Sequence, residues 1–262
     1  MALSADVRTL TTNLRERLSN NETLIGTFQI CASPMVAETL GEAGMDFVIF
    51  DQEHGPLTAE TTLSLAMALD DTGCTSVVRV RENSPPEIQR ALDIGADAVQ
   101  IPQIETLEDA RAAVDAAKFS PVGERGLSKY VRAGEYVGSD SYAAEENERT
   151  SVVVHVEGER GVENIDDVLS VEGIDVIFLG PYDLSQSLGI PGQVRDERVE
   201  SLMTDVCDRA ADAGRAVGTF ADDPEMARRW TDVGVEYVAL SVDLPILHRA
   251  AEGAHRQAIG DE

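Results

Sequence analysis

The sequence predicts an α/β fold, namely a closed (β/α)8 TIM barrel with an extra N-terminal helix. Its 262 residues are close to the roughly 250 that such a barrel typically contains. In addition, one pattern recurs along the chain: an amphipathic helix ends at a glycine, a short polar step follows, and an apolar strand begins. These strands are continuous apolar runs, which is typical of parallel strands buried on both faces. The glycines of the pattern are Gly44, Gly73, Gly95, Gly173, Gly214 and Gly234.

The order of the elements along the chain favours a closed barrel. Strands are predicted at 24–30, 46–51, 76–81, 98–102, 151–157, 175–180, 216–220 and 236–242. Helices are predicted at 33–43, 58–72, 84–94, 106–118, 161–171, 196–213 and 223–233, with a last helix at 243–258. Eight β/α repeats indicate a single barrel domain spanning residues 1–262. A doubly wound open sheet is the alternative, but no G-x-G-x-x-G motif follows the first strand.

The boundaries of these elements follow from local chemistry. Several helices begin with Ser, Thr or Asp beside proline or an acidic residue, which caps the free N–H groups and suits the helix dipole. They end at glycine because glycine tolerates the left-handed backbone that follows a helix. Residues 5–20 are predicted to form the extra N-terminal helix. The segment 120–150 is longer than an ordinary βα loop, so we consider it a candidate functional loop.

Composition excludes several classes of protein. Hydrophobic residues make up 43% of the chain, which is enough to form a core. No apolar run approaches the roughly 18 residues of a membrane helix, and the first residues are too polar for a secretory signal. The three cysteines, Cys31, Cys74 and Cys207, are too few and odd in number for a disulfide framework. We therefore expect a soluble cytoplasmic protein without a membrane partner.

The charge balance is unusual. There are 48 acidic against 21 basic residues, a formal net charge of −27, and the only lysines are Lys118 and Lys129. A chain this acidic is not expected to bind nucleic acid. The acidic residues are scattered rather than gathered in a tail, which indicates a carboxylate-covered surface that needs salt to screen its self-repulsion. We interpret this as a halophilic protein. The alternative is an ordinary acidic protein, against which the scarcity of lysine argues.

Polar residues gather where the predicted strands end. In a (β/α)8 barrel, active sites form at the C-terminal ends of the strands. Burying so many charges there without a function would be costly. The residues at these ends are Asp51, Gln52, Glu53 and His54 after strand two, Arg79 on strand three, His155 and Glu157 on strand five, and Gly180, Pro181, Tyr182 and Asp183 after strand six.

Two chemistries are suggested by these residues. Glu157 and Asp183, on neighbouring strands, could hold a divalent cation, and carboxylates suit Mg²⁺ or Mn²⁺; an ordinary salt bridge is the alternative for each. His54 with Asp51 three residues earlier resembles an acid–base dyad, against the alternative of a structural histidine. Arg79 could stabilise an oxyanion or form a salt bridge at the edge of the core.

The motifs around these residues resemble a known family. The segment GTFQICASPMVAETLGEAGMDFVIFDQEHGP, followed by VVRV, PVGERG, HVEGERG and LGPYDLS, resembles the metal-dependent pyruvate aldolases. These are the 4-hydroxy-2-oxoheptanedioate and 2-dehydro-3-deoxyglucarate aldolases, relatives of the citrate lyase β-subunit. The resemblance extends from about Gly26 to about Ala250. Finding D-x-E-H-x-P together with G-P-x-D-L-S in one barrel-length sequence is quite specific.

The resemblance implies roles for individual residues. Glu157 and Asp183 match the two protein ligands of a divalent metal, Mg²⁺ or Mn²⁺ with Co²⁺ as a further candidate. Arg79 matches the arginine that stabilises the pyruvate enolate. His54, paired with Asp51, matches the histidine that takes the proton of the C4 hydroxyl.

The resemblance also implies how substrate and neighbouring subunits are held. The turn Gly180-Pro181-Tyr182 would present backbone amides to the carboxylate end of the substrate. His155 departs from the glutamine usual in the family, and it could bind the substrate or join the metal sphere. Relatives are commonly homo-oligomers, often hexamers, in which the last helix packs onto a neighbour; here that helix is 243–258.

A separate argument concerns the lysines. Aldolases stabilise the enolate with either a lysine Schiff base or a metal. Lys118 ends a predicted helix on the side away from the active-site rim, and Lys129 lies in a loop. Neither is placed inside the barrel, where a Schiff-base lysine with a low pKa is expected. If the protein is an aldolase, a metal should therefore stabilise the enolate.

We therefore expect an enzyme that reversibly cleaves a 4-hydroxy-2-oxo acid, such as a 2-keto-3-deoxy sugar acid, to pyruvate and an aldehyde. The nearest alternative is cleavage of a CoA thioester, as in malyl-CoA and citramalyl-CoA lyases. A phosphate-binding isomerase would need a glycine-rich phosphate cup after strands seven and eight, where this chain has acidic residues. A non-catalytic scaffold is the third alternative, and the complete set of charged residues argues against it.

Overall fold

Residues 13–260 of the chain are described by the computed structural model. They form one closed barrel of eight strands in sequential order, and each strand pairs in parallel with its neighbours. This confirms the predicted (β/α)8 architecture. The strands are β1 (Leu24–Gln29), β2 (Phe47–Asp51), β3 (Thr75–Arg79), β4 (Ala98–Ile101), β5 (Ser151–Val156), β6 (Val176–Leu179), β7 (Ala216–Ala221) and β8 (Tyr237–Val242).

The helices agree with the predicted pattern at most positions. They are α1 (Leu14–Ser19), α2 (Pro34–Glu42), α3 (Ala59–Leu69), α4 (Pro85–Asp93), α5 (Leu107–Ala117), α6 (Tyr142–Arg149), α7 (Glu159–Glu163), α8 (Ile165–Leu169), α9 (Pro181–Ser187), α10 (Glu197–Asp212), α11 (Pro224–Asp232) and α12 (Asp243–Ile259). The N-terminal helix is present as α1, while residues 5–12 of that prediction lie outside the described residues.

Three details differ from the expectation. The helix predicted at 161–171 is divided into α7 and α8 at Asn164. The short helix α9 begins directly after β6 and was not predicted, because its seven residues are too few for a clear period. The long segment 120–150 contains a single 3₁₀ turn, Arg132–Gly134, and the helix α6.

The glycines that end the helices adopt the expected backbone. All six have a positive φ, from 67° at Gly214 to 101° at Gly234. A side chain is strained in this conformation, so glycine gives each helix a clean end before the next strand.

The interior of the barrel changes from apolar to polar along its axis. Its lower part is packed with large side chains, among them Phe47 and Tyr237, whose rings stack 3.8 Å apart. Nearer the C-terminal ends of the strands, buried polar side chains take their place, including Arg79, Gln100 and His155. A separate and larger core lies between the strands and the surrounding helices. The polar layer therefore forms the floor of the rim where active sites of such barrels lie.

The last helix is exposed along most of its length. Of residues 243–259, which the structure describes completely, Asp243 alone is buried. Its carboxylate accepts hydrogen bonds from the backbone N–H groups of Ile30 and Cys31 and so ties the start of α12 to the end of β1. Leu244 and Leu247 are exposed. Among the helices of residues 13–260, none combines the length and apolar character needed to cross a bilayer.

Candidate active site

An arginine clamped by two carboxylates lies at the ends of β2 and β3. The register of these strands places Asp51 directly beside Arg79. The Arg79 guanidinium donates from Nε to Asp51 Oδ1 at 2.9 Å and from Nη2 to Asp51 Oδ2 at 2.6 Å. Its remaining nitrogen, Nη1, lies 2.9 Å from Glu53 Oε2. The guanidinium also lies 4.7 Å from the centre of the Phe28 ring. Arg79 is therefore held in one orientation by paired hydrogen bonds and by stacking.

The same aspartate shapes the chain that follows β2. Asp51 Oδ1 accepts hydrogen bonds from the backbone N–H groups of Glu53 at 3.0 Å and His54 at 3.2 Å. This local turn brings Glu53 back over Arg79. Burial raises the pKa of Glu53, while the positive charge of Arg79 opposes that shift.

The predicted Asp51–His54 dyad is not formed in this structure. Both oxygens of Asp51 are taken by Arg79, and the aspartate contacts the backbone of His54 rather than its ring. The imidazole is 69% exposed, and its Nε2 lies 3.9 Å from Glu53 Oε2. The physical reason is the strand register, which places the guanidinium of Arg79 beside Asp51. A guanidinium can donate two parallel hydrogen bonds to one carboxylate, whereas the imidazole of His54 remains solvated.

Glu157 follows β5 and is held by hydrogen bonds to both of its oxygens. Oε1 accepts from the backbone N–H of Gln103 at 3.0 Å, and Oε2 lies 3.1 Å from Nδ1 of His155. Burial alone would raise the pKa of Glu157, but the contact with His155, the hydrogen bond from Gln103 and the positive charge of Arg79 together outweigh it, and the pKa lies below its ordinary value. The carboxylate is therefore kept ionised.

Asp183 faces Glu157 across a space created by a glycine. Asp183 lies in the first turn of α9, directly after β6. A Cβ atom on Gly180 would lie 3.2 Å from Glu157 Oε2 and 3.7 Å from Asp183 Oδ2. The absence of a side chain at Gly180 thus leaves both carboxylates facing one small space. Burial and the negative charge of Glu157 raise the pKa of Asp183.

This pair of carboxylates fits a divalent cation. The two carboxylates repel each other, and Gly180 leaves room between them. Carboxylate oxygens are the ligands that Mg²⁺ and Mn²⁺ prefer. Within residues 13–260, no group of three or more His, Cys, Asp or Glu side chains is arranged to hold a metal ion. A cation here would therefore take two ligands from the described protein and leave its other positions for water or substrate.

His155 occupies a different place from the one predicted. It was expected on the open rim, where it could bind the substrate or join the metal sphere, but its side chain is only 1% exposed. The ring stacks on Phe178 at 4.4 Å, contacts Gln100 through Nε2, and contacts Glu157 through Nδ1. His155 lies two residues before Glu157 on the same face of β5 and is buried, so the imidazole lies beneath the carboxylate pair and not on the open rim.

The turn Gly180-Pro181-Tyr182 lies beside the carboxylates. Pro181 is the first residue of α9 and has no N–H, so this part of the predicted amide contact to the substrate is wrong. The Tyr182 hydroxyl donates to the Asp222 carboxylate at 2.8 Å, and its ring meets the edge of Phe220 at 6.1 Å. Tyr182 and Phe220 therefore form an aromatic wall on this side of the site.

A polar cavity of about 900 Å³ opens beside Glu157 and Asp183. Its other lining residues include Gln103, Glu105, Arg160 and Gln186. Arg160 and Glu105 form an ion pair at 3.1 Å. The cavity offers hydrogen-bond donors and acceptors to a small polar molecule.

The sequence placed Glu53 at the end of strand two, within the DQEH motif, but gave it no individual role. Two further residues of the site, Gln100 and Gln103, were not predicted. Gln100 lies on β4 and points inward, a position that strand alternation could have shown. Gln103 has a positive φ of 59°, which single-residue propensity does not reveal.

The lysines lie where the sequence predicted. Lys118 follows α5 and is buried, and its ammonium group donates to the backbone carbonyls of Asn147 and Thr150 next to the start of β5. That end of β5 is opposite the end that carries Glu157. Lys129 lies in the segment before α6. Neither lysine reaches the carboxylate pair.

The Arg79 clamp leads to a stability prediction. Replacing Asp51 with Ala leaves the buried Arg79 with Glu53 alone and frees two backbone N–H groups, so we expect the free energy of unfolding to fall by about 2–4 kcal/mol. His54→Ala removes an exposed ring and should change it by less than about 0.5 kcal/mol. Urea unfolding followed by circular dichroism measures both. Equal effects of the two substitutions would contradict the clamp.

Comparison with known proteins identifies the family of the chain. The profile described as HpcH/HpaI aldolase/citrate lyase matches residues 24–250. A 2-keto-3-deoxy-L-rhamnonate aldolase of Salmonella gallinarum is 35% identical over 244 residues, covering 93% of this chain and 91% of the relative.

Two solved structures extend the comparison. The crystal structure of an HpcH/HpaI aldolase/citrate lyase family protein from Burkholderia cenocepacia is 36% identical, with a TM-score of 0.90, and the match covers 94% of this chain and 99% of that one. An HpcH/HpaI aldolase from Desulfitobacterium hafniense is 29% identical with a TM-score of 0.87, covering 94% and 96%.

Proposed function

The chain belongs to the HpcH/HpaI aldolase/citrate lyase family and is a carbon–carbon lyase, and we propose that it cleaves a 2-keto-3-deoxy sugar acid to pyruvate and an aldehyde. The observation that carries this proposal is the pair Glu157 and Asp183 facing one space at Gly180, with the fixed guanidinium of Arg79 on the same rim. The 2-keto-3-deoxy-L-rhamnonate aldolases among the relatives support a sugar acid as the substrate class.

We assign the metal to the two carboxylates. Glu157 and Asp183 would hold a divalent ion, Mg²⁺ or Mn²⁺, because both present carboxylate oxygen without a softer ligand. When bound, such an ion supplies a positive charge that binds the 2-oxo acid and stabilises negative charge on its 2-oxygen.

The protein residues would perform the remaining chemistry. His54, exposed on the rim, takes the proton of the 4-hydroxyl group; the C4–O bond becomes a carbonyl, and the C3–C4 bond breaks to release the aldehyde. The bonding electrons pass into the enolate of pyruvate, whose oxygen is stabilised by the guanidinium of Arg79. C3 then takes up a proton to give pyruvate. Asp51 positions Arg79 for this step, and Gly180 keeps the space between Glu157 and Asp183 open.

A metal-removal assay tests the reaction class. We expect EDTA to abolish pyruvate release from a panel of 2-keto-3-deoxy sugar acids and 4-hydroxy-2-oxo acids, and Mn²⁺ or Mg²⁺ to restore it. Treatment with borohydride in the presence of pyruvate, which inactivates an aldolase by reducing a lysine Schiff base, should leave this enzyme active, because Lys118 and Lys129 do not reach the site. Activity that persists in EDTA and is lost with borohydride would overturn the metal mechanism. Cleavage of malyl-CoA or citramalyl-CoA alone would favour the thioester lyase.

A substitution at Arg79 tests its role. Arg79→Lys keeps the charge but loses the planar pair of hydrogen bonds to Asp51 and the stacking on Phe28. We expect kcat for retro-aldol cleavage to fall by on the order of 10²–10³, as on loss of an oxyanion donor. The variant should be folded by circular dichroism. Turnover within about twofold of the unmodified enzyme would refute the assignment.

We further propose that the protein is adapted to a cytoplasm rich in salt. The net charge of −27 with two lysines supports this. Because the screening length grows from about 3 Å at 1 M salt to about 30 Å at 0.01 M, the surface carboxylates should repel one another strongly when salt is removed. We expect circular dichroism to show loss of structure on dialysis from molar KCl to dilute buffer. An unchanged spectrum would contradict halophilic adaptation.

We also propose a homo-oligomer of single-domain subunits, spanning residues 1–262, in which α12 packs on a neighbour; a hexamer is the size we favour. The exposure of Leu244 and Leu247 on a helix with one buried residue supports this arrangement. Leu247→Asp should reduce the mass measured by light scattering, because it would place a charge in the contact, while circular dichroism stays unchanged. A monomeric unmodified protein would refute the proposal.

A further inference from the structure

A buried histidine lies directly behind one member of the carboxylate pair. His155 extends from β5 into the barrel and is sealed from solvent. On one side its ring stacks on Phe178, with the two ring planes only 15° apart. Its two nitrogens contact different residues, Gln100 on β4 and Glu157 at the end of β5. Stacking and two polar contacts together leave the imidazole a single orientation.

The neighbours of the ring determine which nitrogen carries the proton. The side-chain amide of Gln100 turns its Oε1 towards the Tyr237 hydroxyl, 3.4 Å away, and its Nε2 towards His155. An amide N–H can only donate, so Nε2 of His155 is the acceptor. In a neutral imidazole the proton then resides on Nδ1, and Nδ1 donates to Oε2 of Glu157. The chain of hydrogen bonds runs in one direction, from β4 through His155 to the carboxylate.

Glu157 is thereby held from two sides. His155 occupies one lone pair of Oε2, and the backbone N–H of Gln103 occupies one of Oε1. Each oxygen keeps a further lone pair, and Oε2 faces the space that Gly180 leaves open beside Asp183. A glutamate side chain that is free to rotate would lose entropy on binding an ion, whereas this one is already ordered.

We propose that His155 is a positioning residue for Glu157: Gln100 fixes its Nδ1–H tautomer, and that N–H orients the glutamate towards the cation space it shares with Asp183. The inference rests on the proposed function, since it takes Glu157 as a metal ligand. It assigns the buried imidazole neither to the substrate nor to the metal. Hydrogen bonds of this kind, from a group behind a metal ligand, typically change metal affinity or activity 10–100-fold.

The first experiment observes the tautomer without a metal. The chain has four histidines, so nitrogen-15 NMR of selectively labelled protein, with His155→Gln to assign its signals, resolves them. We expect the His155 Nδ1 to be protonated and its Nε2 to be the acceptor. In Gln100→Leu the Nε2 partner is lost, and we expect that preference to weaken. An Nε2–H tautomer in the unmodified protein would overturn the proposal, whatever reaction the enzyme catalyses.

The second experiment measures Mn²⁺ affinity by calorimetry. His155→Phe keeps a ring on Phe178 but loses both hydrogen bonds, and we expect binding to weaken about 10–100-fold. His155→Gln can accept from Gln100 and donate to Glu157, and should bind within about threefold of the unmodified protein. Gln100→Leu should weaken binding to an intermediate degree. His255→Phe, the same substitution on α12, is the matched control and should bind Mn²⁺ unchanged.

The outcomes separate this inference from the proposed function. If Glu157→Gln abolishes Mn²⁺ binding while the folded His155→Phe and Gln100→Leu variants bind normally, the positioning role fails and the metal site stands. If His155→Gln binds as poorly as His155→Phe, restoring the two hydrogen bonds does not restore Mn²⁺ binding, and the proposal fails. If Glu157→Gln binds Mn²⁺ normally, both assignments fall. Should His155→Phe not fold, Gln100→Leu still decides, since it leaves His155 in place.

Discussion

The paired hydrogen bonds between Arg79 and Asp51 are the interaction on which the site depends. They join the ends of two adjacent strands and fix the guanidinium in one plane. The same carboxylate also shapes the turn that places Glu53 over Arg79 and His54 on the rim. Without Asp51, the buried Arg79 would keep Glu53 as its one acidic partner among the described residues, and two backbone N–H groups would lose their acceptor. One aspartate therefore sets the positions of three side chains.

The fold could be predicted because its signals are local. A helix that ends at glycine followed by an apolar run is visible within a dozen residues, and the structure confirms the strands this pattern predicted. The short helix α9 and the division into α7 and α8 escaped prediction, because five to seven residues cannot display a helical period and tertiary packing decides their state.

The site could be predicted only in part, because proximity along the chain is a poor guide to pairing. Asp51 and His54 are three residues apart, yet the partner of Asp51 is Arg79, 28 positions away and adjacent only through strand register. His155 was expected on the rim, whereas it lies deeper in the barrel than Glu157, which is two residues later on the same face. Which carboxylates gather at the rim follows from strand ends, but which groups they bind depends on register and depth, and these are properties of the closed barrel.

Gly180 has no side chain, and this limits which residues can replace it. A methyl group at this position would lie 2.9 Å from the Glu157 Cβ and would crowd the gap between Glu157 and Asp183. It would not contact the large apolar side chains that fill the lower part of the barrel. An alanine at this position would therefore narrow the space between Glu157 and Asp183 without disturbing the packed layers of the barrel. Because alanine has the smallest side chain, every other residue at position 180 would crowd the two carboxylates at least as much.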